Sequence, residues 1–142
     1  MYSKEEAAKL RQDFWTSFGK SFPRKWVLYK TGVKPVQFRF YFDTKKAMVC
    51  IDIEGNEEER DKYFNRMLSV RSILNDFLPD SSFEKHYLLE NGKEISRIWL
   101  EKQSVSIHDK KTWQATMEFF NENMQRIELF WQEYKDFFKE EV

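Results

Sequence analysis

Val36-Gln37-Phe38-Arg39-Phe40-Tyr41-Phe42 and Ala47-Met48-Val49-Cys50-Ile51-Asp52-Ile53-Glu54, joined around Asp43-Thr44-Lys45-Lys46, decide the fold. Side chains alternate across a strand, so Val36, Phe38, Phe40 and Phe42 share one face. Setting Phe42 opposite Ala47 pairs Phe40 with Val49, Phe38 with Ile51 and Val36 with Ile53, and both strands then turn their apolar sets to one side. The reverse face carries Gln37, Arg39 and Tyr41 beside Met48, Cys50, Asp52 and Glu54, a mixed surface suited to half exposure.

A second hairpin follows at 83–90 and 93–103 around Asn91-Gly92, the preferred pair for a tight primed turn. That turn puts Phe83, Tyr87 and Leu89 with Ile98 and Leu100 on the core side and leaves Glu84, His86, Arg97, Trp99 and Glu101 behind. Trp26-Val27-Leu28-Tyr29 reads as a further short strand, with a turn over 30–35. Three helical patterns complete the chain. Ser3 and Glu6 form a capping box ahead of Ala7, Leu10, Phe14 and Phe18, with Gly19 as a stop. Asn56 and Glu59 open a second helix, whose stripe of Phe64, Met67, Leu68, Leu74, Phe77 and Leu78 runs to Pro79, with Arg60, Arg66 and Arg71 largely outside it. The third starts between Asp109 and Gln114 and reaches about Lys139.

The layout predicts an α+β fold, with an antiparallel sheet of about five strands (two hairpins plus a short strand) and three helices packed mainly on one face. A chain of 142 residues has the size of one domain, 1–142. With 4 Gly and 3 Pro, most of it should be regular structure. The lone Cys50 excludes an internal disulfide, and no Cys/His metal framework or cofactor motif is present. The start of the chain lacks the apolar run of a signal peptide, and no later stretch suits a membrane span, so a cytoplasmic location is expected. A formal net charge of +0 gives no global pull toward nucleic acid or anionic lipid.

Lys9-Leu10-Arg11, Phe14-Trp15, Tyr29-Lys30-Thr31-Gly32-Val33-Lys34, Phe38-Arg39, Asn91-Gly92-Lys93-Glu94-Ile95-Ser96-Arg97-Ile98, Phe130-Trp131 and Tyr134-Lys135-Asp136-Phe137-Phe138 together resemble a bacterial family known as domain of unknown function 4268 (DUF4268). The resemblance covers nearly the whole chain and assigns no catalytic residue. Members of that family also form the C-terminal part of longer proteins whose other domain looks like a nuclease, which implies a nuclease-linked or defence setting. Such association is not mechanism.

Candidate sites are of four kinds. A metal nuclease needs an acid on one strand and an acid-x-Lys on its neighbour. Asp52 and Glu54 share a face but lack that partner, and they are the acids an unrecognised enzyme would use. The reverse face would gather Arg39, Asp52, Glu54, His86, Arg97 and Trp99 if the hairpins lie side by side, as a ligand or partner surface or as ordinary cross-strand ion pairs. Segment 20–46 holds eight cations against Asp43 alone, and Lys25, Lys30, Lys34 and Arg39, interleaved with Trp26, Tyr29 and Tyr41, would suit nucleic acid. Finally, the last helix is about 40 Å long against about 23 Å for a strand, so it should overhang the sheet. Met124, Phe130, Trp131, Phe137 and Phe138 would then meet a second copy or another protein domain. The resulting expectation is a noncatalytic interaction module, homodimeric, with a nucleic-acid-binding accessory domain as the alternative.

Overall fold

The computed structural model describes residues 2–140. Strands β1 (Val36–Phe42), β2 (Lys46–Ile53), β3 (Ser82–Leu88) and β4 (Glu94–Gln103) form one antiparallel sheet in the order β1-β2-β4-β3. The β1–β2 register is the one the apolar alternation demands, with Phe42 opposite Ala47 and Val36 opposite Ile53. Asp43 closes that hairpin: its Oδ1 accepts from the backbone N–H groups of Lys45 at 2.7 Å and Lys46 at 2.8 Å.

The expected fifth strand is absent among the described residues, where the sheet has four. Residues 26–29 form no ladder, because Leu28 takes a left-handed φ of 48° and the segment bonds elsewhere. The Leu28 carbonyl accepts one hydrogen bond from Phe38 on β1, at 3.0 Å, while the Val27 N–H donates to the Glu128 carboxylate at 2.7 Å.

Among the described residues four α-helices cover the core face: α1 (Lys4–Ser21), α2 (Glu57–Ser69), α3 (Arg71–Phe77) and α4 (Trp113–Lys139), the last preceded by a 3₁₀ turn at Lys110–Thr112. The capping box at α1 forms as read, with Ser3 Oγ accepting from Glu6 N and Glu6 returning the bond. Gly19 does not end α1, which runs on until Phe22 leaves helical geometry ahead of Pro23. The second helix of the sequence reading is two helices. Val70 steps out of helical geometry at φ −115°, and the change of direction lets α3 pack across α4, where Phe77 meets Phe130 at 5.7 Å and Tyr134 at 6.4 Å between ring centroids. Arg60 and Arg66, expected outside the apolar stripe, are buried. Arg66 donates to the Phe138 carbonyl at the end of α4 at 3.0 Å, and Arg60 pairs with Glu94 at 2.9 Å.

The core therefore lies between the helices and the face bearing Val36, Phe38, Ala47, Val49, Ile51, Ile53 and Ile98. Its centre is aromatic. Phe120 of α4 is fully buried and meets Phe40 at 5.0 Å, Phe18 at 5.6 Å and Trp15 at 5.7 Å, with Phe14 and Phe42 just beyond 6 Å. One side chain thus joins α1, α4 and β1. No helix among the described residues is long and apolar enough to cross a membrane. Phe120→Ala should cost about 3–5 kcal/mol in urea unfolding, the range for emptying a buried Phe site, whereas Phe120→Leu should retain most of the stability; equal losses would show that the site collapses around either side chain.

Candidate functional site on the back face of the sheet

The face of the sheet turned away from the helices is where the chemistry collects. Strand β2 is buried on that side too: Met48, Cys50 and Asp52 are 0–1% exposed although no helix covers them. Their cover comes from the sheet's own side chains, and two local irregularities put it there. The β3–β4 loop holds three residues, Glu90, Asn91 and Gly92, closed by Leu89 N–H to Lys93 O at 2.8 Å with Gly92 left-handed at φ 85°. A two-residue primed turn was expected, and the extra residue reverses the faces of Tyr87 and Leu89. Farther along β3 a bulge sets Lys85 and His86 opposite Ser96, whose hydroxyl donates to Lys85 O at 2.6 Å. The bulge restores the original parity, so Phe83 still faces the core opposite Ile98.

Tyr87 consequently stands on the back face, edge-on to Trp99 at 5.3 Å and beneath the Arg97 guanidinium at 4.4 Å. His86 does not join this group. It lies on the helix side, with Nδ1 3.3 Å from Glu94, which also receives Arg60. Those two hydrogen bonds, Arg60 first, hold the Glu94 carboxyl below its ordinary pKa. The residue opposite Arg97 is Glu84.

Arg39, Asp52, Glu54, Arg97 and Trp99 do assemble, because β2 and β4 are neighbours with Asp52 opposite Arg97 and Cys50 opposite Trp99. The Arg97 Nε and Nη2 donate to the two Asp52 oxygens at 2.7 and 2.9 Å, a buried bidentate pair. Arg39 Nε adds a third contact at 3.2 Å. Burial works against the Arg97 charge, but the hydrogen bond and charge of Asp52 outweigh it and raise its pKa. Glu54 is likewise occupied, by Lys93 and more distantly by Arg39. Both acids that an enzyme reading would use are thus committed to cations. Cys50 is fully buried, and desolvation raises its pKa and keeps it a neutral thiol. Among the described residues no group of three or more His, Cys, Asp or Glu could hold a metal ion.

Above the pair lies a cleft of about 500 Å³, lined by Arg39, Tyr41, Asp43 and Lys46 on one side and by Tyr87, Leu88, Leu89, Glu90 and Asn91 on the other, with Arg97 also in its wall. Tyr41 donates to Asp43 at 2.8 Å, and burial followed by that bond raises the tyrosine pKa. For Asp43 burial is opposed and outweighed by the N–H groups of Lys45 and Lys46 and by Tyr41, which leave its carboxyl below the ordinary value. The sequence does not single out Leu88, places Tyr41 and Lys46 only on the reverse face or in the basic segment, and assigns Tyr87 and Leu89 to the opposite face; the loop geometry is what brings them together.

The remaining sequence candidates lie elsewhere. Lys25, Lys30 and Lys34 are exposed on the 22–35 segment, which packs toward α4. Met124, Phe130, Trp131 and Phe138 are buried inside the chain's own core and Phe137 is half-buried, so this set does not form a free surface. The expected overhang of α4 is occupied by α3 and by the 22–35 segment, whose Thr31 carbonyl accepts from Trp131 Nε1 at 2.8 Å.

Removing one partner of the central pair leaves a buried charge uncompensated, so Asp52→Leu and Arg97→Met should each cost about 3–5 kcal/mol, while the double variant should cost clearly less than their sum; additive losses in urea titrations would mean the two side chains act independently. The depressed Asp43 carboxyl contributes stability that is complete above the ordinary carboxylate range, about pH 4, and is lost as pH falls through its lower folded value. Asp43→Asn should therefore flatten the acid limb of a plot of urea midpoint against pH, and an unchanged limb would assign that dependence to other acids.

Comparison with known proteins gives a family and nothing more specific. No curated protein and no solved structure matches the chain. The model of the family described as Domain of unknown function (DUF4268) matches residues 10–135, and the chain belongs to that family.

Proposed function

We propose that this protein is a noncatalytic interaction module that associates with a second copy of itself through the back face of its sheet, in the nuclease-linked or defence setting that the family resemblance implies. The observation that carries this reading is the preformed cleft over an otherwise helix-free sheet face, walled by Tyr41, Tyr87, Arg39 and Arg97 and rimmed by Leu89. Tyrosine, tryptophan and arginine are the residues that dominate protein interfaces, because they offer large rigid contact areas with a polar end. Leu89, which shares the Tyr87 side of the hairpin and lines the cleft, is only half-buried, so part of its apolar side chain is left for a partner.

Charge distribution favours a copy of the same surface. Arg39, Lys46 and Arg97 alternate with Asp52, Glu54 and Glu101 across the face, and a two-fold axis can set such a mixed pattern against itself with opposite signs in contact. The long helix, expected to share the binding, instead supplies the core. An enzyme built on Asp52 and Glu54 loses its support, since both carboxylates are engaged by cations.

Analytical ultracentrifugation over a wide concentration range should give a dimer, and Leu89→Asp should shift the equilibrium toward monomer by about tenfold or more in Kd, the consequence of placing a charge in a desolvated contact. The circular dichroism of Leu89→Asp should match that of the parent, because the side chain is part-exposed at the end of the hairpin. A monomer at every concentration, or a dimer indifferent to Leu89→Asp, would overturn this assignment.

A further inference from the structure

On the opposite side of the molecule, the 22–35 segment meets the end of α4 from Glu128 to Lys139, and cations remote in sequence converge there. Arg24, Lys30 and Lys135 line one cleft of about 240 Å³, and Lys34 and Lys139 line a second of about 290 Å³. Thr31 lines the first and Gly32, its neighbour in the chain, lines the second. A Cβ at Gly32 would lie 3.2 Å from the Lys139 Cε and 3.9 Å from the Lys135 Cδ, so both helix lysines lie against the loop. Gly32 holds a left-handed φ of 85°, and Trp131 bonds the neighbouring Thr31 carbonyl, which fixes the loop on the helix.

Among the described residues, none of Lys30, Lys34, Lys135 and Lys139 takes part in an ion pair. The acids of the two clefts are Glu128 and Glu59, and Glu128 is already held by Arg24 and the Val27 N–H. Beside the cations stands Tyr29, 72% exposed, with the Lys30 ammonium 5.9 Å from its ring centroid. Lysines that, among the described residues, share their clefts with Glu59 as the one acid not already engaged, next to an aromatic ring left in water, have the parts of a polyanion groove with a stacking platform.

We infer that the groove formed by the 22–35 loop and the end of α4 binds single-stranded nucleic acid, with Lys30, Lys34, Lys135 and Lys139 along the phosphates and Tyr29 stacking a base. The two small clefts, adjoining at Thr31 and Gly32, suit an extended single-stranded backbone. This groove differs from the basic stretch of the sequence alone: Arg39 leaves it for the other face of the sheet, and Lys135 and Lys139 enter it from α4.

Fluorescence anisotropy with a labelled oligothymidine of about 20 nucleotides should show binding that weakens about tenfold or more between about 50 and about 200 mM salt. The double variant Lys135→Glu/Lys139→Glu should weaken it at least as much, and Lys9→Glu on α1 should not. Tyr29→Ala should lose about fivefold or more for the oligothymidine while leaving inorganic polyphosphate competition unchanged, and Tyr29→Phe should restore binding. Absence of binding at low salt would overturn the inference, as would equal affinity for polyphosphate and oligothymidine with no response to Tyr29→Ala, which would reduce the groove to a generic cationic patch. Neither result bears on self-association through the back face, because the two surfaces share no residue.

Discussion

Strand β2 is buried on both faces, and only one of those faces has helices to bury it. That constraint governs the rest of the structure. On the helix side the problem is solved by area: Phe120, Phe14, Met124 and Ile127 fill the space above Ala47, Val49, Ile51 and Ile53. On the other side Asp52 would be a carboxylate out of water, a costly arrangement unless it is paired and fully hydrogen-bonded. Arg97 supplies both bonds from the adjacent strand, and Tyr87 covers the guanidinium with its ring. The ion pair and its aromatic lid take the place of a second layer of helices.

Building that lid from a four-stranded sheet requires an edge strand that changes face. Strand β3 must offer Phe83 to the core beside Phe64 and, within a few residues, offer Tyr87 to the back. Strict alternation would put both on one side, since they are four residues apart. The bulge at Lys85 and His86 resolves the conflict by adding one residue. It also directs those two side chains to the helix side, where Lys85 meets Asp61 of α2 and His86 meets Glu94 of β4, which Arg60 of α2 holds as well. The same bulge interrupts the exposed edge of β3, which discourages pairing of that edge with a foreign strand.

Legibility in the sequence follows the same physics. The β1–β2 register could be read because every apolar residue of β1 except Tyr41 falls on one parity, and a slip of one residue would expose them all. The last helix could be read because its stripe persists over 27 residues. In β3 the apolar residues Phe83, Tyr87 and Leu89 share a parity that the fold then divides, so alternation pointed to one face where two were used. The break at Val70 carries no Gly or Pro, and it exists because α4 offers Phe130 and Tyr134 as a docking face, a tertiary cause with no local mark. The candidate pair Asp52 and Arg97 was visible as a face but not as a bond, since strand order decides which residues stand opposite one another.

A net charge of zero conceals how unevenly the charges are arranged. On the back face each cation has an acid within reach: Arg97 and Arg39 with Asp52, Lys46 with Glu101, Lys93 with Glu54. Along the loop and the end of α4 lysines accumulate instead, and some of them also lie where the helix dipole favours positive charge. The dipole accounts for Lys139 of the last turn but not for Lys30 and Lys34, which a loop could have carried anywhere. Packing explains the placement of the loop itself, because Glu128, Trp131 and Thr31 clamp it to the helix. Fixing that loop brings Lys30 and Lys34 to the lysines of α4 against their mutual repulsion. Repulsion of this kind is weak in water and is relieved by any bound polyanion, so the same contacts that close the core at α4 create a surface whose electrostatics favour an anionic ligand.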